Sequence, residues 1–300
     1  PSPSHERLAG TFAFIMQMVG DMLLARAVLS EYQHTHICGG YQPYPLHDGL
    51  KRRAVTGKDG HTAPPDIPFF QYGVGGDGTL LGAFHHYADQ LAFVRFIGVH
   101  TGHLGFYADW QHFEIGELID SLVADEESRT VKYPLLEARV RYTDGREERV
   151  LALNEAAIKR PLGTLVADVY IQGELFERFR GDGLTASTPT GSTAYNKAIG
   201  GAVMHPSLEA IQLAEIASIN SRVFRTLGSP LIIGSHEVIR VQLENDGAAV
   251  TLSFDHLSKI ASNIDWIEFR VAQTKIQFAE YRHMHFWHRV QSSFIGTEVN

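Results

Sequence analysis

The stretch Phe69-Phe70-Gln71-Tyr72-Gly73-Val74-Gly75-Gly76-Asp77-Gly78-Thr79-Leu80-Leu81 decides the fold class. An apolar run over residues 67–72 predicts a buried strand, and the glycines after it predict a tight turn. Apolar residues at helical spacing over 80–91 then predict a helix, and residues 93–99 predict a second buried strand. This order of strand, glycine turn, helix and strand is typical of a parallel α/β unit.

The residues from Gly73 to Gly78 also match the dinucleotide-binding fingerprint G-x-G-x-x-G. In dehydrogenases this fingerprint is followed, about 20 residues later, by a carboxylate that binds the ribose 2′-hydroxyl. Here the second strand ends in His100-Thr101-Gly102, without a carboxylate. The sequence therefore argues against a dehydrogenase.

Asp77 lies among these glycines at the start of the predicted helix, where backbone N–H groups favour an anionic ligand such as phosphate. A carboxylate would repel a phosphate, so it is a poor phosphate ligand. It is better suited to act as a general base for a hydroxyl that attacks phosphorus, or to contact a metal ion. The structural alternative is that Asp77 and Gly78 form only a turn and a helix cap.

Composition excludes several classes of protein. The 300 residues contain 26 Lys and Arg against 34 Asp and Glu, a net charge of −8, which argues against a nucleic-acid partner. The single cysteine, Cys38, excludes an intrachain disulfide and a cysteine-rich zinc site, and we expect a cytoplasmic protein. The apolar stretch 8–29 is interrupted by Gln17, Asp21 and Arg26, so we expect an amphipathic helix and no membrane span, a secretory signal being the alternative.

After Asp125 the hydrophobic period changes from helical to two, which predicts an antiparallel β-rich second half. Predicted strands 136–142 and 147–153 flank Asp144-Gly145, a dipeptide preferred in hairpin turns. Two further pairs, 166–171 with 175–179 and 238–243 with 250–254, flank turn residues in the same way. We expect an α/β domain over 1–130, a β-rich domain over 131–283, and a C-terminal tail over 284–300 that returns to the first domain.

Residues 180–196 form a second dense region, with five Ser or Thr hydroxyls and one glycine in 187–193. Short hydroxyl side chains and a glycine allow a ligand to approach the backbone closely. The chain has no G-x-x-x-x-G-K-[ST] sequence, so it is not a P-loop enzyme. The alternative for this region alone is a solvated turn.

Together, these motifs resemble those of the NAD kinases. The resemblance covers residues 66–297, and motifs in the right order are far more specific than any one of them. Residues 214–230 are similar to the form of the family found in Gram-positive bacteria. The matching segments are Gly75-Gly76-Asp77-Gly78-Thr79-Leu80-Leu81, Gly102-His103-Leu104-Gly105-Phe106, Asn154-Glu155, Gly181-Asp182-Gly183, 187–195 and His205-Pro206.

The resemblance implies a Rossmann-like α/β domain of the phosphofructokinase and diacylglycerol kinase type, followed by an antiparallel β-sandwich domain that binds NAD. It implies a transferase that moves the terminal phosphoryl group of ATP, or of polyphosphate, to the 2′-hydroxyl of the adenosine ribose of NAD. Asp77 matches the catalytic base. The NAD contacts implied are Asp77, Gly78, Phe106, Tyr107, Asn154, Glu155, Arg180, Asp182, Thr193, Ala194, Tyr195, Ala198, Ala217 and His256, and the phosphate contacts are Gly75, Gly76, Gly78, Thr79, Thr188, Thr190, Gly191 and Ser192.

The resemblance also implies Mg²⁺ or another divalent cation that accompanies ATP, and a homodimer or homotetramer. We expect no metal held by the protein alone, because His85-His86 and the other histidine pairs lack the spacing and partners of a zinc site. Two alternatives remain: a lipid or sphingoid kinase, which shares Gly-Gly-Asp-Gly-Thr, and a non-catalytic dinucleotide-binding regulator. The Asn154-Glu155 pair favours NAD over a lipid, and Asp77 argues against a regulator.

Overall fold

The computed structural model describes residues 69–74, 76–100, 105–124, 130–244, 246–279 and 285–296. The predicted α/β unit is confirmed, because β1 and β2 run parallel with α1 between them in the chain. Helix α1 begins three residues before the predicted start, directly at the end of the glycine turn. The elements of this part are β1 (Phe69–Val74), α1 (Asp77–His86), β2 (Val94–His100), β3 (Trp110–Gln111) and α2 (Ile115–Ala124).

The rest of the described chain is mostly strand. It also contains the 3-10 turn Thr190–Thr193 and two short helices. The strands and helices are β4 (Thr130–Tyr142), β5 (Glu147–Ala152), β6 (Glu155–Lys159), β7 (Leu165–Ile171), β8 (Glu174–Gly181), β9 (Gly183–Ser187), α3 (Tyr195–Ala198), β10 (Ala210–Ile216), β11 (Leu231–Gly234), β12 (Ile239–Leu243), β13 (Val250–Phe254), β14 (Leu257–Ala261), β15 (Ile264–Ala279) and α4 (Phe286–Phe294).

These strands form two sheets. The mixed nine-stranded sheet has the order β1-β2-β15-β12-β7-β8, with β3 beside β2 and with β4 between β15 and β5. Its parallel pairs are those that involve β2, whereas β4, β5, β7, β8 and β12 pair antiparallel. The second sheet is wholly antiparallel, with the order β11-β10-β9-β6-β13-β14. The predicted fold class, an α/β part with an antiparallel β part, is therefore confirmed.

Two hydrophobic cores hold these layers together. One lies between the sheets and contains fully buried side chains such as Phe179, Leu184 and Phe269. The other contains Phe84 of α1 and Phe96 of β2, and burying a phenylalanine of this kind stabilises the fold by about 1.5–3 kcal/mol. The second core fixes α1, and therefore the residue at its start, on the sheet.

Two of the three predicted strand pairs are hairpins. β4 with β5 and β7 with β8 pair across the expected turns, at Gly145 and Gly173, where both glycines have positive φ. The third pair is not a hairpin, since β12 lies in the nine-stranded sheet and β13 in the six-stranded sheet. Periodicity identifies strands but does not identify their partners, and here the chain crosses from one sheet to the other.

The nine-stranded sheet is continuous across residue 130, because β2 pairs with β1 on one side and with β15 on the other. Residues 116–124 of α2 fall in a different compact unit from the described residues of 69–115 and 130–296. The domain boundary near residue 130 stays a prediction.

The predicted helix over 8–29 and Cys38 lie outside the described residues. Within the described ranges, no helix is both long and apolar enough to span a membrane.

Candidate active site

Asp77 is the first residue of α1, and Gly76 before it has an extended backbone with φ −83° and ψ −178°. No side chain caps this helix. The Asp77 carboxylate instead accepts hydrogen bonds from the backbone N–H of Phe106 (2.9 Å, to Oδ2) and of Tyr107 (3.2 Å, to Oδ1). Asp77 is therefore not a helix cap, and its half-buried carboxylate faces the turn over residues 105–108.

Gly105 lets this turn approach the carboxylate. A Cβ atom at Gly105 would overlap Oδ1 of Asp77. Any side chain at this position would therefore displace either the turn or Asp77. The glycine is required here by the close approach, since its φ is not positive.

Tyr107 joins the Asp77 turn to Asn154, another predicted site residue. Its side chain is buried, and its hydroxyl donates to Asn154 Oδ1 in a short hydrogen bond. Burial raises the pKa of Tyr107 well above its usual value, so the hydroxyl stays protonated and remains a donor. The ring stacks on Phe278 of β15 with 6.0 Å between centroids, which fixes its direction.

Asp255 holds the backbone that presents Asn154 and Glu155. It lies in the β13–β14 turn with φ 54°, and its carboxylate accepts from the N–H of Leu153 (2.9 Å), Asn154 (2.6 Å) and Glu155 (3.1 Å). His85 of α1 completes the set, with Nε2 at 2.7 Å from Asp255 Oδ2. The helix that begins with Asp77 is thereby tied to the segment that carries Asn154 and Glu155.

Glu155 is a half-buried residue whose carboxyl has a raised pKa. Burial, and then the negative charge of Asp255, raise the pKa of Glu155 to about 8, although the Lys159 ammonium and the Tyr195 N–H act in the opposite direction. Among the described residues, its buried Oε2 has no hydrogen-bond partner. A protonated carboxyl at neutral pH can donate a hydrogen bond to a ligand at this position.

Four of the five hydroxyls of the 187–193 region are bonded within the protein, whereas the buried Ser187 Oγ has no hydrogen-bond partner among the described residues. Thr188 and Thr190 donate to the carbonyl of Leu153 at 2.6 and 2.9 Å. Ser192 donates to the Pro189 carbonyl (2.6 Å) and accepts from a backbone N–H (2.8 Å). A phosphate would have to compete with these bonds, so the structure gives these hydroxyls a clear role in holding the loop. Their predicted phosphate contacts stay predictions.

Gly191 allows this loop to pack directly on the Asn154 backbone. A Cβ at Gly191 would overlap the Asn154 carbonyl, so the glycine is needed for this contact. After it, Thr193 donates to the Thr190 carbonyl (3.1 Å), and the Ala194 N–H donates to the Gly191 carbonyl (2.9 Å). The 3-10 turn therefore leads into α3 beside Asn154 and Glu155.

Tyr195 and Lys159 border Glu155. The Lys159 ammonium lies 4.1 Å from the centroid of the Tyr195 ring, at cation–π distance. His256 is exposed, and its ring centroid lies 5.5 Å from that of His85. Ala198, at the end of α3, is exposed.

Arg180, Asp182 and Ala217 form a second group where β8, β9 and β10 meet. The Ile219 N–H donates to the Arg180 carbonyl (2.7 Å), and the Asp182 N–H donates to the Ile216 carbonyl (2.9 Å). Ala217 has φ 49°, and the side chains of all three predicted residues are exposed. Of the predicted phosphate contacts at α1, Gly76, Gly78 and Thr79 are exposed, and Gly75 lies outside the described residues.

Three residues of this arrangement were not predicted from the sequence. His85 belongs to a pair that the sequence suggests is superficial, yet it is half-buried against Asp255. The sequence indicates that Asp255 lies in a turn after a predicted strand. It does not indicate the hydrogen-bond partners of Asp255, which lie far away in the chain. Arg289 of α4 is buried and contacts the turn over 105–108.

The known proteins that resemble this chain include NAD kinases. Residues 153–281 match the family of the ATP-NAD kinase C-terminal domain. The NAD kinase of Levilactobacillus brevis is 60% identical over 226 residues, which cover 75% of this chain and 84% of that protein. The NAD kinase 1 of Bacillus subtilis is 57% identical over 224 residues, which cover 74% of this chain and 84% of that protein.

A solved structure supports the fold at much lower identity. The crystal structure of yeast NADH kinase complexed with NADH aligns with a TM-score of 0.66 and 23% identity, over 77% of this chain and 67% of that one. The relatives confirm the predicted resemblance, because this chain covers 84% of the length of each at 57–60% sequence identity. The chain belongs to the NAD kinase family, in the form found in Gram-positive bacteria.

Proposed function

We propose that this NAD kinase transfers the terminal phosphoryl group of ATP to the 2′-hydroxyl of the adenosine ribose of NAD, with Asp77 as the catalytic base. One observation carries the proposal: the Asp77 carboxylate lies at the start of α1 and is oriented by two backbone N–H groups. The carboxylate is half-buried, so it remains accessible to a hydroxyl. Family membership supports the choice of NAD and ATP as substrates.

In the proposed reaction, the ribose 2′-oxygen forms a bond to the γ-phosphorus. The bond from that phosphorus to the β,γ-bridging oxygen breaks, and ADP leaves with that oxygen. Asp77 orients the hydroxyl and accepts its proton late, because a loose transition state demands little deprotonation at the start. Positioning and charge neutralisation therefore account for most of the rate enhancement.

We propose that a divalent cation such as Mg²⁺ enters with ATP as part of the donor substrate. Mg²⁺ prefers oxygen donors and keeps several waters, so it needs only one or two carboxylates beside the phosphates. The Asp77 carboxylate accepts one hydrogen bond on each oxygen and so retains lone pairs for such a contact. The cation would neutralise charge on the phosphates when bound.

We further propose that Asn154 and Glu155 contact NAD beside Asp77. Tyr107 joins these residues to Asp77, because its hydroxyl donates to Asn154 and its backbone N–H donates to the Asp77 carboxylate. The protonated carboxyl of Glu155 offers a donor to a ribose hydroxyl. Arg180, Asp182 and Ala217 would contact a more distant part of the dinucleotide, because their exposed side chains form a separate group.

The test is formation of NADP from NAD and Mg-ATP, with polyphosphate as an alternative donor. Asp77→Asn should lose at least about 100-fold in kcat while it still binds NAD, because the base is removed but the shape is kept. Asp89→Asn is the matched control, since Asp89 is exposed in the 3-10 turn after α1. Equal kcat for Asp77→Asn and wild type at saturating NAD would refute the role of Asp77.

We also propose a homodimer or homotetramer in the cytoplasm. Exposed apolar side chains on both edge strands of the six-stranded sheet support self-association: Ile232 on β11, and Leu257 and Ile260 on β14. Sedimentation equilibrium measures the mass directly, and a monomer at micromolar concentration would contradict the proposal.

A further inference from the structure

Arg289 of α4 is a buried charged residue next to the proposed active site, and only 4% of its surface is exposed. Its Nη1 donates to the carbonyl oxygens of Gly105 (2.8 Å) and Ala108 (2.9 Å). Its Nη2 forms an ion pair with Asp109. One guanidinium therefore holds both ends of the turn over residues 105–108.

The two faces of this turn have different partners. The carbonyls of Gly105 and Ala108 bind Arg289, whereas the N–H groups of the two residues between them bind the Asp77 carboxylate. The Gly105 carbonyl and the Phe106 N–H belong to one planar peptide unit, so the bond from Arg289 to that carbonyl also fixes the direction of the Phe106 N–H. The bond to the Ala108 carbonyl holds the other end of the turn, one residue after Tyr107. The position of the Asp77 carboxylate therefore depends on Arg289 through backbone alone.

Helix α4 also holds the side chain at the centre of the turn. The Phe106 ring lies 5.8 Å from that of Phe294 and 6.4 Å from that of Phe286, and both partners belong to α4. The Lys197 ammonium lies 4.1 Å from the centroid of the Phe294 ring. The same helix thus contacts the turn that orients Asp77 and the segment that follows the hydroxyl loop.

We propose that Arg289 is a positioning residue for phosphoryl transfer, which acts on Asp77 through the turn over residues 105–108. The inference rests on the proposed role of Asp77. Arginine is suited to this function, because its planar fork donates to several acceptors in a fixed geometry, whereas the ammonium of lysine cannot reproduce that geometry. The buried charge is compensated by Asp109 and by the two carbonyls, as a buried charge requires.

A double-mutant cycle tests this inference. Arg289→Lys keeps the positive charge beside Asp109 but weakens the hydrogen bonds to the two carbonyls. We expect kcat to fall by about 10- to 100-fold, because a misplacement of about 1 Å has an effect of this size. In the Asp77→Asn background, the same substitution should lower kcat less than about threefold, because the group that it positions is already absent.

A purely structural role for Arg289 gives a different result. It would lower activity by the same factor in both backgrounds, and that result, or an unchanged kcat in Arg289→Lys alone, would overturn the inference. Full activity of Asp77→Asn would instead refute the proposed function, so the two failures are distinguishable. Gln291→Ala, on the exposed side of α4, is the control for effects on the helix itself.

A second variant keeps the test decisive if Arg289→Lys does not fold. Asp109→Asn retains the size of the side chain and removes the negative charge that holds the guanidinium. We expect it to lower kcat with wild-type Asp77 and to have little further effect with Asp77→Asn. Equal factors in the two backgrounds would overturn the inference here as well.

Discussion

Glu155 allows a quantitative prediction about stability and pH. In the folded protein its pKa is raised to about 8, chiefly by burial and then by the charge of Asp255, whereas its usual value is 4.5. Between these two values the folded protein keeps a proton that the unfolded chain releases. The free energy of unfolding should therefore decrease as the pH rises from 5 to 8, and Glu155→Gln should remove this decrease because glutamine does not ionise.

The size of the effect follows from the two pKa values. Each pH unit between them contributes about 1.4 kcal/mol, so three units give an upper limit of about 4 kcal/mol. Partial ionisation at both ends of the range reduces this to about 3–4 kcal/mol. The stabilising contribution of the proton is complete below pH 4.5, decreases as the pH rises between the two pKa values, and is fully lost above about pH 8.

Urea unfolding of wild type and Glu155→Gln, at a fixed protein concentration and at one-unit steps from pH 5 to pH 8, measures this contribution. The variant should gain about 3–4 kcal/mol relative to wild type across the range. Glu174→Gln, an exposed position on β8, should follow the wild type throughout. Parallel curves for wild type and Glu155→Gln, within about 0.5 kcal/mol, would show that Glu155 is already ionised at neutral pH.

Three further substitutions test the packing of the site. Gly105→Ala should push the Asp77 carboxylate out of position and lower kcat about 100-fold, while circular dichroism stays unchanged and thermal stability changes little. Gly191→Ala should destabilise the protein by about 2–3 kcal/mol in urea, because its Cβ overlaps the Asn154 carbonyl; a loss below about 0.5 kcal/mol would contradict this. Asp255→Asn should destabilise the protein by about 2–3 kcal/mol and lower kcat/KM for NAD, because three backbone N–H groups lose a charged acceptor. Unchanged kinetics would show that this turn does not support NAD binding.

The fold around Asp77 could be predicted from sequence because its signals are local. Each signal lies within a short stretch of neighbouring residues: the glycines around Asp77, and the change from helical to twofold periodicity after Asp125. The structure agrees with both, in the strand and helix order and in the two hairpins. The resemblance to a known family then provided residue roles that no single motif could give.

The contacts that position the site could not be predicted, because they join distant parts of the chain. His85 and Asp255 are 170 residues apart, and Arg289 lies 184 residues from Gly105. A histidine or arginine on an amphipathic helix has the same sequence pattern whether it is solvated or buried against a partner. The crossing of the chain between β12 and β13 was missed for a related reason, since strand periodicity does not specify which sheet a strand joins.

The position of β15 has a consequence for how the protein is made. This strand pairs with β4 along most of its 16 residues, with β12 near one end and with β2 at Phe278 near the other. The ribosome synthesises β2 and β4 long before β15. Until residues 264–279 have emerged, β2 and β4 each lack a neighbour, and unpaired strand edges promote aggregation. The sheet that supports Asp77 can therefore be completed only late in synthesis, and pairing over such long sequence separations is slow.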